Sequence, residues 1–457
     1  MGGTARLGER MITTAEMAAL FSDHATIGRI LDFEAALARA LAAAGLCGAD
    51  EAAVIAAACD ADLYDADRLA EEGARAGTVV IPLVKALTGR VAAAAPDAAA
   101  HVHRGATSQD AIDTGLVLQL RDAVAVLDRD LARAADAAAV LVRTHRSTLM
   151  LGRTLLQPGG PTTFGLKAAG WMAAIDAARL RVRRAAEDAL VLQFGGAVGT
   201  LGSLEGAGIA VAEALAGDLG LPCPPLPWHS RRDDLAALAA AVTIGTGTLA
   251  KVGRDVSLLM QYEVSEAAEP GGGGRGGSSA MPHKRNPTAS MIARAAAARA
   301  SGLLATLTAT MDHEQERAVG GWQAEWAVWP ALMEVAAGAA AATVETLEGL
   351  RVDDARMSRN LAALNGVVLS ERLALALAAR LGKGEAHALV ETLTRRAVAD
   401  GRPLRDVAGE TAAVADRLAP AELDALFDPR GALGAAEAFV DRALAARPTA
   451  DGPGAAG

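Results

Sequence analysis

An all-α fold is what this sequence predicts, and three observations predict it. Apolar residues fill 52% of the 457 positions while aromatics fill only 3%. Alanine dominates, and alanine, leucine and arginine favour helix, whereas the β-branched and aromatic residues that suit strands are sparse. Long stretches without proline carry apolar residues at helical spacing. The length suits roughly two or three domains with a sizeable core.

In chain order, the run TTAE sets Thr13 and Glu16 at capping-box spacing and predicts the first helix start. After Ser22, the positions Ile30, Phe33, Leu37 and Leu41 share one helical face. Breaks at Gly48, Gly73 and Pro82 divide the segment up to Pro96 into short pieces, and residues 1–100 are expected to form an N-terminal helical domain.

The character changes after His101. From Asp110 to Arg146 the only helix-weakening residue is Gly115, and Leu116, Leu120, Val124, Leu127 and Leu131 trace a single stripe. Similar stretches run from Pro161 to Gln193, Arg231 to Glu269, Thr288 to Met311 and Glu325 to Leu364. These predict a central long-helix bundle over residues 101–350. Helices of ~30 residues far exceed the mean of ~11–12, and ~35 residues would reach ~50 Å. Stripes that long carry more apolar surface than one thin bundle hides, so bundles from several subunits are expected to pack together. From Arg351 turn residues return (NGVV, GKGE, DGRP, DPRG), which predicts a C-terminal helical domain over 351–457 ending in a disordered tail, ARPTADGPGAAG.

The 44 basic and 54 acidic residues leave a net charge of −10, which argues against a nucleic-acid partner needing a basic face. Cys47, Cys59 and Cys223 have neither paired nor metal-ligand spacing and suit a reducing compartment. The start, MGGTARLGERM, lacks the apolar core of a signal peptide. No uninterrupted apolar run approaches the ~20 residues of a membrane span; VWPALMEVAAGAAAATV carries Glu334 near its middle. A soluble, cytoplasmic protein is expected.

Polar residues concentrate in four places. In HVHRGATSQDAIDT, Thr107 and Ser108 precede a long helix, where hydroxyls and free N–H groups suit an anion; plain helix capping is the alternative. In GRTLLQPGGPTTFG, the residues Arg153, Thr154, Gln157, Thr162 and Thr163 cluster in a turn before another helix. In DVSLLMQYEVSE, read as part of a long helix, Gln261 and Glu263 face either a site or solvent, with solvent favoured for Glu263. The fourth is GGGGRGGSSAMPHKRNP, Gly271 to Pro287. Its small residues let backbone N–H groups approach an anion, and a serine beside such donors can be stabilised as an alkoxide. Lys284 and Asn286 are placed to hold a carboxylate oxygen on which charge builds; a flexible loop with solvated charges is the alternative.

SSAMPHKRNP resembles the mobile-loop motif GSSxMPxKxNP of the fumarase/aspartase superfamily. HRGATSQDAIDT and GRTLLQPGGPTTFGLKAAGW resemble its two other signature regions, in the right order. VLQFGGAVGTL and ERAVGGWQAEW are similar to one branch, the bacterial 3-carboxy-cis,cis-muconate cycloisomerases. The likeness spans about Ile12 to Leu444. It implies a homotetramer with a twenty-helix core, and active sites shared among three subunits that each supply one region. It implies a small polycarboxylate substrate, no metal and no cofactor. By the same likeness Ser278 transfers the proton, Lys284 and Asn286 bind the carboxylate that gains charge, and His103 acts with Thr107 and Ser108 on a substrate carboxylate. Arg153, Thr154, Gln157, Thr163, Gln261, Ser279 and Met281 would line the rest.

The chain departs from the pattern in places. Leu155 and Met291 stand where fumarases and argininosuccinate lyases carry a histidine and its supporting glutamate. The cycloisomerase branch lacks that pair too. Pro158 and Gly159 stand where the branch usually reads His-Ala, and proline can neither transfer a proton nor donate from its backbone. The expected function is lactonisation of 3-carboxymuconate. The alternatives are a nitrosuccinate-type or adenylosuccinate-type lyase, or a catalytically silent relative.

Overall fold

The computed structural model describes residues 6–448; most of the expected disordered tail lies outside them. By contact density the chain forms two units. The first gathers 1–131, 177–250 and 292–342, the second 132–176, 251–291 and 343–457. The all-α expectation holds, with only two small two-stranded sheets among the described residues.

In the first unit, Ser22 caps helix Asp23–Ala43 through its hydroxyl on the Ala25 N–H. The anticipated stripe is its buried face: Ile30, Phe33, Leu37 and Leu41 are at most 1% exposed. They pack with Ile55, Leu83, Leu87, Phe194 and Leu215 in one apolar cluster. Each such burial stabilises by about 1.5–3 kcal/mol. Two local expectations change here. The residue capping Ala15–Leu20 is Thr14, on the Met17 N–H, while Glu16 turns to pair with Arg129. Gly73 lies inside helix Ala66–Ala76, where a Cβ would stand 3.1 Å from Val79 Cα, and Pro82 sits in the first turn of Val80–Ala94, where its missing N–H costs nothing.

The long helices are Ser108–Thr144, Phe164–Ala189, Asp233–Leu259, Thr288–Ala309 and Val328–Glu348. Only the first, at 37 residues, passes thirty; it is about 55 Å long. The expected helix from Glu325 to Leu364 is three helices. It breaks at Gly349, where a Cβ would come within 2.7 Å of Pro270, and Arg351–Val352 then pairs with Ala267–Ala268. That pairing anchors the chain just before the glycine-rich loop. Asp233–Leu259 ends before Gln261 and Glu263, so both lie beyond the helix that was expected to hold them.

The cluster around Arg153 is not a turn but an antiparallel hairpin, Leu149–Thr154 with Gln157–Thr163. Its tip residues Leu155 and Leu156 both hold left-handed backbone, φ 51° and 64°, at about 1 kcal/mol each. Pro158 and Pro161 are tolerated because a two-stranded ribbon is all edge. A second apolar cluster, built on Leu373, Leu377, Leu393, Leu404 and Val407, fills the C-terminal part of this unit.

Among the described residues, the helix Asp233–Leu259 and the helical stretch Gly321–Glu348 are long and apolar enough to cross a membrane by length and composition, which uninterrupted apolar runs had not suggested. Their apolar stretches are 56% and 72% buried inside the structure, and Lys251, Arg254, Asp255 and Glu334 interrupt the helices.

Candidate active site

In the first unit, the turn before helix Ser108–Thr144 is capped by a carboxylate. Asp110 Oδ2 accepts the N–H of Thr107 at 3.0 Å and of Gly196 at 2.9 Å. Its Oδ1 accepts the Gly195 N–H at 3.0 Å and lies 2.7 Å from His229 Nε2. The hydroxyls of Thr107 and Ser108 make no hydrogen bond among the described residues. Capping therefore falls to Asp110, and both hydroxyls stay available at a helix N-terminus, where the backbone favours an anion.

One turn further along, buried Asp113 takes hydrogen bonds from Gln109, Arg232 and Trp322. Arg232, 3% exposed, also forks onto Glu325 at 2.5 and 3.0 Å. Burial disfavours its charge, but Asp113 and Glu325 outweigh that and hold the guanidinium more firmly charged than usual. Arg317 donates to Gln109 Oε1 at 3.2 Å and to the carbonyl of Ala197 at 2.7 Å. These groups brace the Thr107–Ser108 turn. None was singled out from sequence, although Asp110 and Asp113 lie in HRGATSQDAIDT and Glu325 in ERAVGGWQAEW. His103 sits just before the turn with φ +56°, its Nδ1 2.5 Å from Glu34 Oε1.

In the second unit, Arg153 is bidentate on Glu266, at 2.7 and 2.8 Å, and Glu266 is fully buried and also accepts Asn360 Nδ2. The guanidinium thus anchors the hairpin. Thr154 and Gln157 face each other across the exposed tip. Thr163 is buried and caps helix Phe164–Ala189 through the Leu166 N–H at 3.1 Å. Lys167, one turn on, is half-buried, and burial lowers its pKa despite Asp255. Gln261 is exposed, its carbonyl accepting the N–H groups of Val264 and Ser265.

The glycine-rich loop is tied rather than slack. Asn286 N–H donates to Gly276 O at 2.9 Å, closing residues 277–285 into a lobe, and Arg275 pairs with Glu345. Gly276 is buried with φ +63°, and a Cβ there would collide with the Asn286 carbonyl oxygen and lie 3.1 Å from Asn286 N. Beyond the lobe, Glu269 accepts the Ala289 and Ser290 N–H groups at the start of helix Thr288–Ala309. Within the lobe the Met281 N–H donates to Ser278 Oγ at 3.1 Å, which favours negative charge on that oxygen. Ser279, Met281 and Lys284 are exposed, and the Lys284 ammonium and Asn286 amide make no hydrogen bond among the described residues. Among the described residues of one chain, no hydrogen bond joins Ser278, Lys284 or Asn286 to Arg153, Thr154, Gln157, Thr163 or Gln261. Among the described residues, no cluster of three or more His, Cys, Asp or Glu is arranged to hold a metal.

A model of the lyase family matches residues 8–302, and one for the adenylosuccinate lyase C-terminus matches 366–443. The chain belongs to this lyase family. It is 51% identical over 440 residues to a 3-carboxy-cis,cis-muconate cycloisomerase of Pseudomonas aeruginosa, covering 96% of both chains. It is 49% identical to one from Bradyrhizobium diazoefficiens, covering 95% of this chain and 96% of that one. The crystal structure of a 3-carboxy-cis,cis-muconate lactonizing enzyme from Pseudomonas putida superposes with a TM-score of 0.91 at 45% identity, covering 96% of this chain and 98% of that one. The expected superfamily and fold are therefore correct.

Proposed function

We propose that the protein is a cycloisomerase that converts 3-carboxy-cis,cis-muconate to 4-carboxymuconolactone. The observation that carries this reading is half-identity, over nearly the full length of both chains, to relatives of that name. The loop chemistry supports it. A substrate carboxylate oxygen adds to one carbon of a double bond, and the electron pair moves onto the neighbouring carboxylate as an aci-carboxylate. Protonation of the carbon between them completes the lactone. Ser278 is proposed as the proton-transferring group, its oxygen already accepting the Met281 N–H. Lys284 and Asn286, uncommitted within the chain, stabilise the charge as it builds. Thr107 and Ser108 offer hydroxyls at a helix N-terminus to a second carboxylate, with His103 beside them. Thr154, Gln157, Gln261, Ser279 and Met281 are proposed to line the remainder, with Arg153 and Thr163 holding the hairpin that presents it.

The three regions are proposed to meet in a homotetramer, in the cytoplasm, with each region supplied by a different subunit. Exposed apolar residues on the long helices, Val140, Ile244 and Met291, supply surface for such packing. The test is to offer the purified protein 3-carboxy-cis,cis-muconate and follow loss of diene absorbance. Turnover that Ser278→Ala abolishes while the oligomer persists is the expected result. No turnover, with fumarate and nitrite released from nitrosuccinate instead, would sink the reading.

A further inference from the structure

Among the described residues, Glu34 is a buried acid with one carboxylate oxygen left unpartnered. It lies on the core face of helix Asp23–Ala43 at 1% exposure, among Phe33, Leu37 and Leu31. Its Oε1 meets His103 Nδ1 at 2.5 Å, and its Oε2 is buried with no hydrogen-bond partner. A buried carboxylate with a single partner is costly unless that partner brings the opposite charge. Its partner is also placed at a cost, since His103 is a non-glycine residue held at φ +56°. The His103 side chain keeps 17% of its exposure, and its Nε2 makes no hydrogen bond among the described residues. One nitrogen is committed to Glu34; the other is free, four residues before Thr107.

We propose that Glu34 is a positioning residue that holds His103 as an imidazolium with Nε2 free, so that the ring presents positive charge and a proton to a substrate carboxylate. This rests on the cycloisomerase reading, in which His103 joins Thr107 and Ser108. Other groups bear on the pair. Asp110 adds negative charge near the ring but is occupied by His229 and three backbone N–H groups. Cys59 lies near Glu34 and stays a neutral thiol, its pKa pushed up to about 12 mainly by burial. His101 is 3.5 Å from Glu51 and 3.3 Å from Arg104, a separate pairing. The ring's own pKa agrees: burial pulls it down, but the charge and hydrogen bond of Glu34 outweigh burial and raise it.

Glu34→Gln keeps the size and an oxygen for the Nδ1 proton while removing the charge. In an enzyme active on 3-carboxymuconate, the alkaline limb of the kcat/KM profile should move to lower pH by about one unit. Activity on that limb should fall by up to ~10-fold, and Glu34→Asp should restore much of the limb. An unmoved limb, or an equal loss at every pH, overturns the proposal. If the wild type turns over no 3-carboxymuconate, the functional reading has failed, and NMR titration of the His103 ring still decides this one. A midpoint that Glu34→Gln lowers supports the pairing; an unchanged midpoint overturns it.

Discussion

Replacing Gly276 by alanine tests how the loop is held. The residue has φ +63°, and its Cβ would collide with the Asn286 carbonyl oxygen and lie 3.1 Å from Asn286 N and 3.4 Å from Asn286 C. Left-handed backbone costs alanine about 1 kcal/mol, and pushing Asn286 away forfeits its hydrogen bond to Gly276 O, worth about 1 kcal/mol more. The sum of about 2 kcal/mol falls on the closed form of the lobe, so kcat/KM should drop ~30-fold, with little change in thermal midpoint because the core is untouched. Gly274→Ala supplies the control. Its φ is +83° but nothing lies within 4 Å of the added Cβ, so only the strain remains and the loss should be about 5-fold. The assay is steady-state loss of diene absorbance for both variants beside wild type. Equal losses in the two variants, or a Gly276→Ala enzyme within about twofold of wild type, would refute the idea that Asn286 closes the lobe.

Three further outcomes are expected. Glu266→Gln removes the buried partner of Arg153 and should lower unfolding stability by about 2–3 kcal/mol, less than for a fully buried pair because Arg153 is 26% exposed; urea titration measures it, and an unchanged midpoint counts against the anchor. His103 has a raised pKa in the folded protein, so its stabilising contribution is fully present below the ordinary histidine value and lost as pH rises through the folded one. The stability gap between wild type and His103→Asn should therefore shrink as pH rises above the ordinary histidine value; a gap constant across that rise contradicts the ion pair. Cys59, with its thiol pushed up to about 12, should resist a thiol-specific reagent at pH 8 that labels exposed Cys223; mass spectrometry of the labelled peptides shows which cysteine reacted.

The helical plan was legible because apolar periodicity reports burial directly: the Ile30–Leu41 stripe is the buried face it promised. The hairpin was not, because its signals conflict. Pro158, Gly159 and Pro161 read as a turn, and a Leu-Leu tip lacks the Asn-Gly or Gly-Gly that usually marks a two-residue loop. Helix ends were overrun at Gly349 and after Leu259 for another reason. There long-range contacts, Gly349 on Pro270 and the Ala267–Ala268 pairing, end a pattern that stays locally helical. In the loop, the motif residues stood out by chemistry, but the hydrogen bond that closes it joins two backbone groups and leaves no mark on side-chain identity. The acids Asp110, Asp113 and Glu34 were passed over because a lone acid in a helix reads as solvated until its neighbours are known.

The Asp113–Arg232–Glu325 chain has a consequence for how this protein can drift. Trp322 and Asp113 are 209 positions apart in sequence, yet each member of the cluster is buried against the others. Losing Arg232 strands the two buried carboxylates it bridges, at about 3–5 kcal/mol, a penalty that a marginally stable fold tolerates poorly. Arg232 is thus the position least free to change alone, since both acids depend on it. The cluster thus ties HRGATSQDAIDT to ERAVGGWQAEW through Arg232, a residue that lies in neither stretch.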